Sequence, residues 1–208
     1  MTDFYKEPLK GTTTVGLVFK DGVVLAADKR ASMGFFIAAK GVDKIHPIAD
    51  HMALTLAGSV GDAQTLVRVM RAELELYKHN KGTSLSVKGA ATLLANILQG
   101  NKYFPYFVQL IVAGYDEAPQ LFDLDPLGGL IQESYVSTGS GSVTAYGYLD
   151  AHYKENLSES DAVKIATKAV HAAMKRDAAT GEGIDTVIIT ADGVKRLPMQ
   201  AASGLLSS

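Results

Sequence analysis

The chain has 208 residues, 47% of them hydrophobic and 20% charged, with a formal net charge of -2 and no cysteine. That length fits one domain with a sizeable core, and the balanced charge with no long basic run argues against a nucleic-acid surface. Disulfide frameworks, thiolate nucleophiles and cysteine metal sites are excluded, and no apolar run reaches the roughly 20 residues of a membrane span.

The first eleven residues, Met1 to Gly11, carry Asp3, Lys6, Glu7 and Lys10 and lack the apolar centre of a secretory signal. A soluble, cytoplasmic protein is therefore expected. Strands are predicted at 13–19 and 23–28, joined across Lys20-Asp21-Gly22, a hairpin signal. Residues 35–39 and 52–57 are expected to extend the same sheet. Residues 64–79 read as a helix with Leu66, Val69, Met70, Leu74 and Tyr77 on one face and Arg71 four residues before Glu75. A second helix spans about 86–101, with Ala90, Leu94, Ile97 and Leu98 at helical spacing. Both are expected to pack on that first sheet. Strands follow at 108–115, 120–124 and 135–138, with a turn at Gly128-Gly129. Helices return at about 143–153 and 158–176. The latter opens on a Ser158/Asp161 capping box and carries the apolar stripe Val163, Ala166, Val170 and Met174. A strand at 185–190, the turn Ala191-Asp192-Gly193 and a return at 194–197 read as a closing hairpin, with a mobile tail expected from about 201. Strands, then helices, then strands, then helices imply an α+β fold of antiparallel sheets covered by helices rather than alternating βαβ units.

The chemistry begins at Gly11-Thr12-Thr13-Thr14-Val15-Gly16. A threonine hydroxyl is a weak nucleophile unless a base takes its proton, and one solution is the residue's own α-amine, whose unperturbed pKa is roughly 7.7 to 8.0. That amine exists only if threonine comes first, so a cut between Gly11 and Thr12 is expected. Glycine puts no side chain in the way of the Thr12 hydroxyl as it attacks the Gly11 carbonyl. Read alone, the three threonines equally well just start a β-strand, which their branching favours.

Further segments change that balance. Asp28 ends the apolar run Gly22-Val23-Val24-Leu25-Ala26-Ala27, and Lys44 lies in Gly41-Val42-Asp43-Lys44-Ile45. With Thr12, they resemble the catalytic set of proteasome β-subunits in type and spacing. Ala57-Gly58-Ser59-Val60-Gly61-Asp62-Ala63 resembles that family's glycine turn, Thr138-Gly139-Ser140-Gly141-Ser142 its serine loop, and Arg176-Asp177-Ala178-Ala179-Thr180-Gly181 its second acidic loop. The resemblance runs from about 11 to 198, and 67–77 with 103–109 looks most like the archaeal type.

The resemblance implies an N-terminal nucleophile hydrolase fold, a four-layer αββα sandwich. It implies a propeptide of residues 1–11 removed by autocatalytic cleavage and one catalytic domain from 12 to 208. Thr12 would be both nucleophile and base of a threonine endopeptidase, Lys44 would favour its deprotonated oxygen, and Asp28 would hold the ammonium. Gly58 would donate its backbone N–H to the oxyanion. Ser140, Asp177 and Thr180 would orient the amine; the family commonly has serine where this chain has Thr180, whose hydroxyl is retained but whose extra methyl restricts the rotamer. The implied pocket lining is Ala31, Ser32, Val42, His46, Leu56 and Val60, which favours cleavage after large apolar residues. His46 is read either as a group titrating near neutrality or as a packed side chain. No metal or organic cofactor is implied, because the five histidines show no paired metal spacing, and the loop at 139–142 lacks the lysine and spacing of a phosphate-binding loop.

The implied partners are proteasome α-subunits and other β-subunits in stacked seven-membered rings, an ATP-dependent unfolding regulator, and unfolded polypeptide substrates. The competing readings are a catalytically silent structural β-ring subunit, a small-molecule amidase with an N-terminal nucleophile, and a simpler bacterial two-ring threonine protease. Intact Thr12, Asp28 and Lys44 argue against the first, and the Arg176-Asp177…Thr180-Gly181 pattern against the last.

Overall fold

The structure, a computed structural model, describes residues 11–34 and 36–198. Most of the expected propeptide and the whole expected tail lie outside the described residues. In chain order the elements are β1 (Thr14–Phe19), β2 (Gly22–Asp28), β3 (Ala31–Met33), β4 (Phe36–Ala39), β5 (Ile45–Ala49) and β6 (Met52–Gly58). Helices α1 (Val60–Lys81) and α2 (Val87–Gly100) come next. Then follow β7 (Val108–Tyr115), β8 (Pro119–Leu124), β9 (Leu130–Gln132), β10 (Tyr135–Thr138), α3 (Ser142–His152), α4 (Glu159–Met174), β11 (Ile184–Thr190) and β12 (Gly193–Arg196).

Two five-stranded antiparallel sheets form the centre, ordered β10-β1-β2-β11-β12 and β5-β6-β7-β8-β9. Three apolar clusters separate four layers. Met70, Leu94 and Leu98 of α1 and α2 pack on Leu54, Leu110 and Phe122 of the second sheet. Val163, Ala166 and Val170 of α4 pack on Val15, Leu17 and Val24 of the first. Between the sheets lie Leu25, Ala27, Ile45, Ile111, Leu121 and Val187. Each large aliphatic side chain fully buried in these clusters contributes about 1.5–3 kcal/mol. The fold is the α+β, four-layer αββα sandwich.

Two expectations about sheet membership are corrected. The segment 52–57 does not extend the first sheet: β6 lies in the second, between β5 and β7. The strand expected at 35–39 appears as β4, paired with β3 in a separate hairpin. Consequently α1 and α2 cover the second sheet, and α3 and α4 take the first. Hydrophobic period marks a buried face but not which sheet buries it.

Three short strands had no clear period. β3 and β9 have three residues each, and β5 contains Pro47. A proline is tolerated there because β5 is an edge strand with a register shift beside it. Arg71 does not serve Glu75. Its guanidinium donates twice to the Pro47 carbonyl, at 2.9 and 2.7 Å, tying α1 to that edge. The Ser158 cap is present, with its hydroxyl accepting from Asp161 N–H at 3.2 Å.

Strand alternation decides what the first strand can do. Val15, Leu17 and Phe19 point towards α3 and α4, so Thr14 and Gly16 point towards the second sheet. Gly16 has no room for a Cβ, which would press on Leu121. Thr12 and Thr13, just before β1, likewise serve opposite sides.

Candidate active site

Thr12 is almost fully buried, at 5% exposure, and lines a cavity of about 320 Å³. Its hydroxyl donates to the Gly11 carbonyl at 2.7 Å, and its backbone N–H donates to Ser140 Oγ at 3.3 Å. Gly11 is pressed against Ala179, and any Cβ at residue 11 would overlap that side chain and backbone. The peptide bond between Gly11 and Thr12 is thus fixed between the acidic loop and the cavity.

Behind Thr12 sits the buried pair Asp28 and Lys44. Lys44 Nζ donates to Asp28 Oδ1 at 2.6 Å, with both side chains at most 5% exposed. Three backbone N–H groups complete the carboxylate: Thr13 on Oδ1 at 2.9 Å, Arg30 on Oδ2 at 3.0 Å and Gly181 on Oδ2 at 2.9 Å. A carboxylate offers about four acceptor sites, so Asp28 is saturated and cannot turn. Burial pushes the Lys44 pKa below its ordinary value, with the charge and hydrogen bond of Asp28 opposing the fall. Lys44 shares the cavity lining with Thr12.

A second carboxylate governs the Thr12 nitrogen. Ser140 Oγ donates to Asp177 Oδ2 at 2.5 Å, and Thr180 Oγ1 donates to the same oxygen at 2.6 Å. Ala179 N–H holds Oδ1 at 3.1 Å. Because the Ser140 proton is committed to Asp177, its oxygen is free to accept from the Thr12 nitrogen. Thr180 keeps its hydroxyl on Asp177 despite the added methyl, and it is buried.

The cavity continues along Ala31, Ser32, Val42, His46, Leu56 and Val60, all six pocket residues named from sequence. Its walls are largely apolar. His46 Nε2 lies 3.0 Å from the Asp43 carbonyl, and burial lowers its pKa, which keeps it neutral at neutral pH. Gly58 lines the same cavity at φ 114°, and a Cβ there would strike the Phe107 carbonyl. The glycine is therefore required by the backbone of the neighbouring strand as well as by the open side of the cavity.

Sequence reasoning missed two residues that hold this arrangement. Thr13 Oγ1 lies 2.8 Å from Thr180 Oγ1. Since the Thr180 proton goes to Asp177, Thr13 must donate, which extends the hydroxyl chain by one member. Arg30 clamps the acidic loop through the Ala178 carbonyl at 2.6 Å and Glu182 at 3.1 Å. The period of two along residues 12–14 was a usable signal for Thr13; nothing local marked Arg30. Among the described residues, no group of His, Asp and Glu side chains converges as a metal site, and no helix is long and apolar enough to cross a membrane.

Two antiparallel sheets between helical layers, with a threonine at the entry of the first strand, define the N-terminal nucleophile hydrolase class. The particular family follows from comparison with known proteins. A family model described as proteasome subunit matches residues 9–189. Similar relatives include proteasome subunit beta 2 of Pyrococcus furiosus, 55% identical over 91% of this chain and 92% of that one. Proteasome subunit beta 1 of Thermococcus sibiricus is 49% identical over 96% and 97%. Proteasome subunit beta of Archaeoglobus profundus is 52% identical over 96% and 94%. The chain belongs to the proteasome subunit family.

Proposed function

We propose that this chain is a threonine-type endopeptidase subunit of a proteasome core, with Thr12 as the nucleophile once cleavage after Gly11 frees its amine. One observation carries the reading. Two buried carboxylate networks meet around a single threonine: Asp177, through Ser140, orients the Thr12 nitrogen, and the Asp28–Lys44 pair stands beside it, with Lys44 lining the same cavity as Thr12. A silent ring subunit would have no need of that convergence.

Processing and turnover use the same atoms. The Thr12 hydroxyl oxygen bonds to the Gly11 carbonyl carbon, the C–N bond breaks, and the released nitrogen takes the proton and becomes the amine. Water then hydrolyses the ester that holds residues 1–11. In turnover that amine, oriented by Ser140, accepts the hydroxyl proton as the oxygen attacks a substrate carbonyl, and returns it to the departing amine. Lys44 stabilises the negative oxygen of Thr12, and the Gly58 N–H stabilises the oxyanion. Water completes the cycle by cleaving the acyl ester. The apolar lining at Ala31, Val42, Leu56 and Val60 favours large apolar residues before the scissile bond.

The relatives' names and the family support assembly with other proteasome subunits; stacked seven-membered rings of α-type and β-type subunits, in the cytoplasm, with an ATP-dependent regulator delivering unfolded chains, complete the proposal. Tyr103, Phe104 and Phe107, at 81%, 89% and 47% exposure, offer apolar surface for such contacts. The test is the intact mass and N-terminal sequence of the chain after coexpression with an α-type subunit, beside Thr12→Ala. A new N-terminus at Thr12 in the native chain alone supports the proposal. An uncut native chain in assembled particles overturns it in favour of a silent subunit.

A further inference from the structure

Three hydroxyls meet inside the largely apolar layer between the sheets. Thr14 Oγ1 lies 2.7 Å from Thr138 Oγ1 and 3.0 Å from Thr55 Oγ1. Thr14 and Thr55 are fully buried and Thr138 is 4% exposed. Thr14 and Thr138 are direct cross-strand partners on β1 and β10, whereas Thr55 belongs to β6 in the facing sheet. The contact therefore bridges the two sheets, among neighbours such as Ala27, Ile45, Ile111 and Val136.

Each of the three strands leads to a residue of the site. Thr14 follows Thr12 by two residues, Thr138 precedes Ser140 by two, and Thr55 precedes Gly58 by three. At about 3.3 Å per strand residue, each hydroxyl is within roughly 10 Å of chain from a residue assigned to the chemistry. Apolar contact between sheets is non-directional and tolerates sliding. Hydroxyl contacts at 2.7 and 3.0 Å are short and directional, and a buried hydroxyl left unpaired is penalised. Gln109 on β7, accepting from Gly139 N–H at 3.0 Å, adds a second tie between the sheets at the same end.

We infer that Thr14, Thr55 and Thr138 are positioning residues: their hydroxyl cluster sets the alignment of the two sheets that places the nucleophile and its amine on one side opposite the oxyanion donor on the other. The inference rests on the proposed threonine-protease reading. Its function is geometric, since none of the three touches substrate. A misplacement on the order of 1 Å costs about a hundredfold in turnover, so losing the tie should appear in kcat.

The experiment compares assembled particles carrying Thr55→Val, Thr138→Val, Thr55→Ser and Thr167→Val with the native protein, on a fluorogenic peptide ending in a large apolar residue. Thr167 is the control: its hydroxyl is equally buried but donates within α4 to the Val163 carbonyl at 2.8 Å. The expected result is a kcat lowered roughly ten- to a hundredfold in Thr55→Val and Thr138→Val. KM should stay unchanged, Thr55→Ser should recover most of the rate, and Thr167→Val should match the native protein. Native kcat in either correctly assembled valine variant overturns the inference. So does a loss that serine does not recover, or failure of both valine variants to assemble, which would make the cluster a requirement of folding rather than of alignment. If native particles themselves show no cleavage beyond a Thr12→Ala control, it is the protease reading that has failed.

Discussion

Behind Thr12 and Lys44, which line the cavity, stands a polar wall in which Asp28 accepts four hydrogen bonds and Asp177 three. On the other side, Ala31, Val42, Leu56 and Val60 present only apolar surface. The first wall is directional: Asp28 is held from Thr13, Lys44 and Gly181 and Asp177 from Ser140, each in another segment of the chain, so moving one residue strands several others. The second is not, and a side chain there can shrink or grow without leaving a buried polar group unpaired. The proposed function thus assigns chemistry to the wall that cannot adjust, and selectivity to the wall that can. Substitutions on the first wall should appear in turnover and stability, those on the second in KM.

The harshest way to break the polar wall is Asp28→Ala. It leaves the Lys44 ammonium buried without its partner and three N–H groups without their acceptor. Removing one member of a buried pair costs about 3–5 kcal/mol. A Thr12 that is no longer cut and a melting temperature lowered by several degrees are expected, measured by N-terminal sequencing and thermal denaturation. Native processing and melting would show that the lattice does not hold the site.

A milder probe uses pH. The folded chain binds the Lys44 proton less tightly than the unfolded chain, because burial lowers the lysine pKa below its ordinary 10.5. Below the lowered pKa, the buried charge is a standing cost to stability. As pH rises through the window between the lowered pKa and 10.5, that cost is relieved and this group's contribution to stability grows. Catalysis under the proposed mechanism runs the other way, since loss of the ammonium would remove stabilisation of the Thr12 oxygen. Across that window kcat should fall, while the melting temperature of the native chain should rise relative to Lys44→Met. A joint fall of both would assign the alkaline limb to another group.

The apolar wall should respond least. Val60 is 46% exposed at the mouth of the cavity, so Val60→Ala should raise KM for large apolar substrates roughly three- to tenfold, with kcat near native. A matching drop in kcat with unchanged KM would erase the distinction between the walls.

Much of this was legible in the sequence because it is local. The order of strands and helices, the Ser158 cap and the closing hairpin each depend on residues within a few positions of one another. So did the motifs around Thr12, Asp28, Lys44, Gly58, Ser140 and Asp177, whose type and spacing pointed to the family and hence to the layered fold. The sequence by itself determined which faces of the strands and helices are buried and which residues are proposed for the chemistry.

Tertiary structure alone decided the pairing. β6 joined the second sheet and α1 and α2 followed it, because an apolar face is satisfied by any apolar partner. Arg71 found the Pro47 carbonyl rather than Glu75, and Thr13 found Thr180. The need for glycine at 58 comes partly from the carbonyl of Phe107, forty-nine positions along the chain. A residue's periodic pattern records which side it faces, but the atom it meets there is set by chain closure over long distances, and that contact is what ties buried Thr13 to the acidic loop.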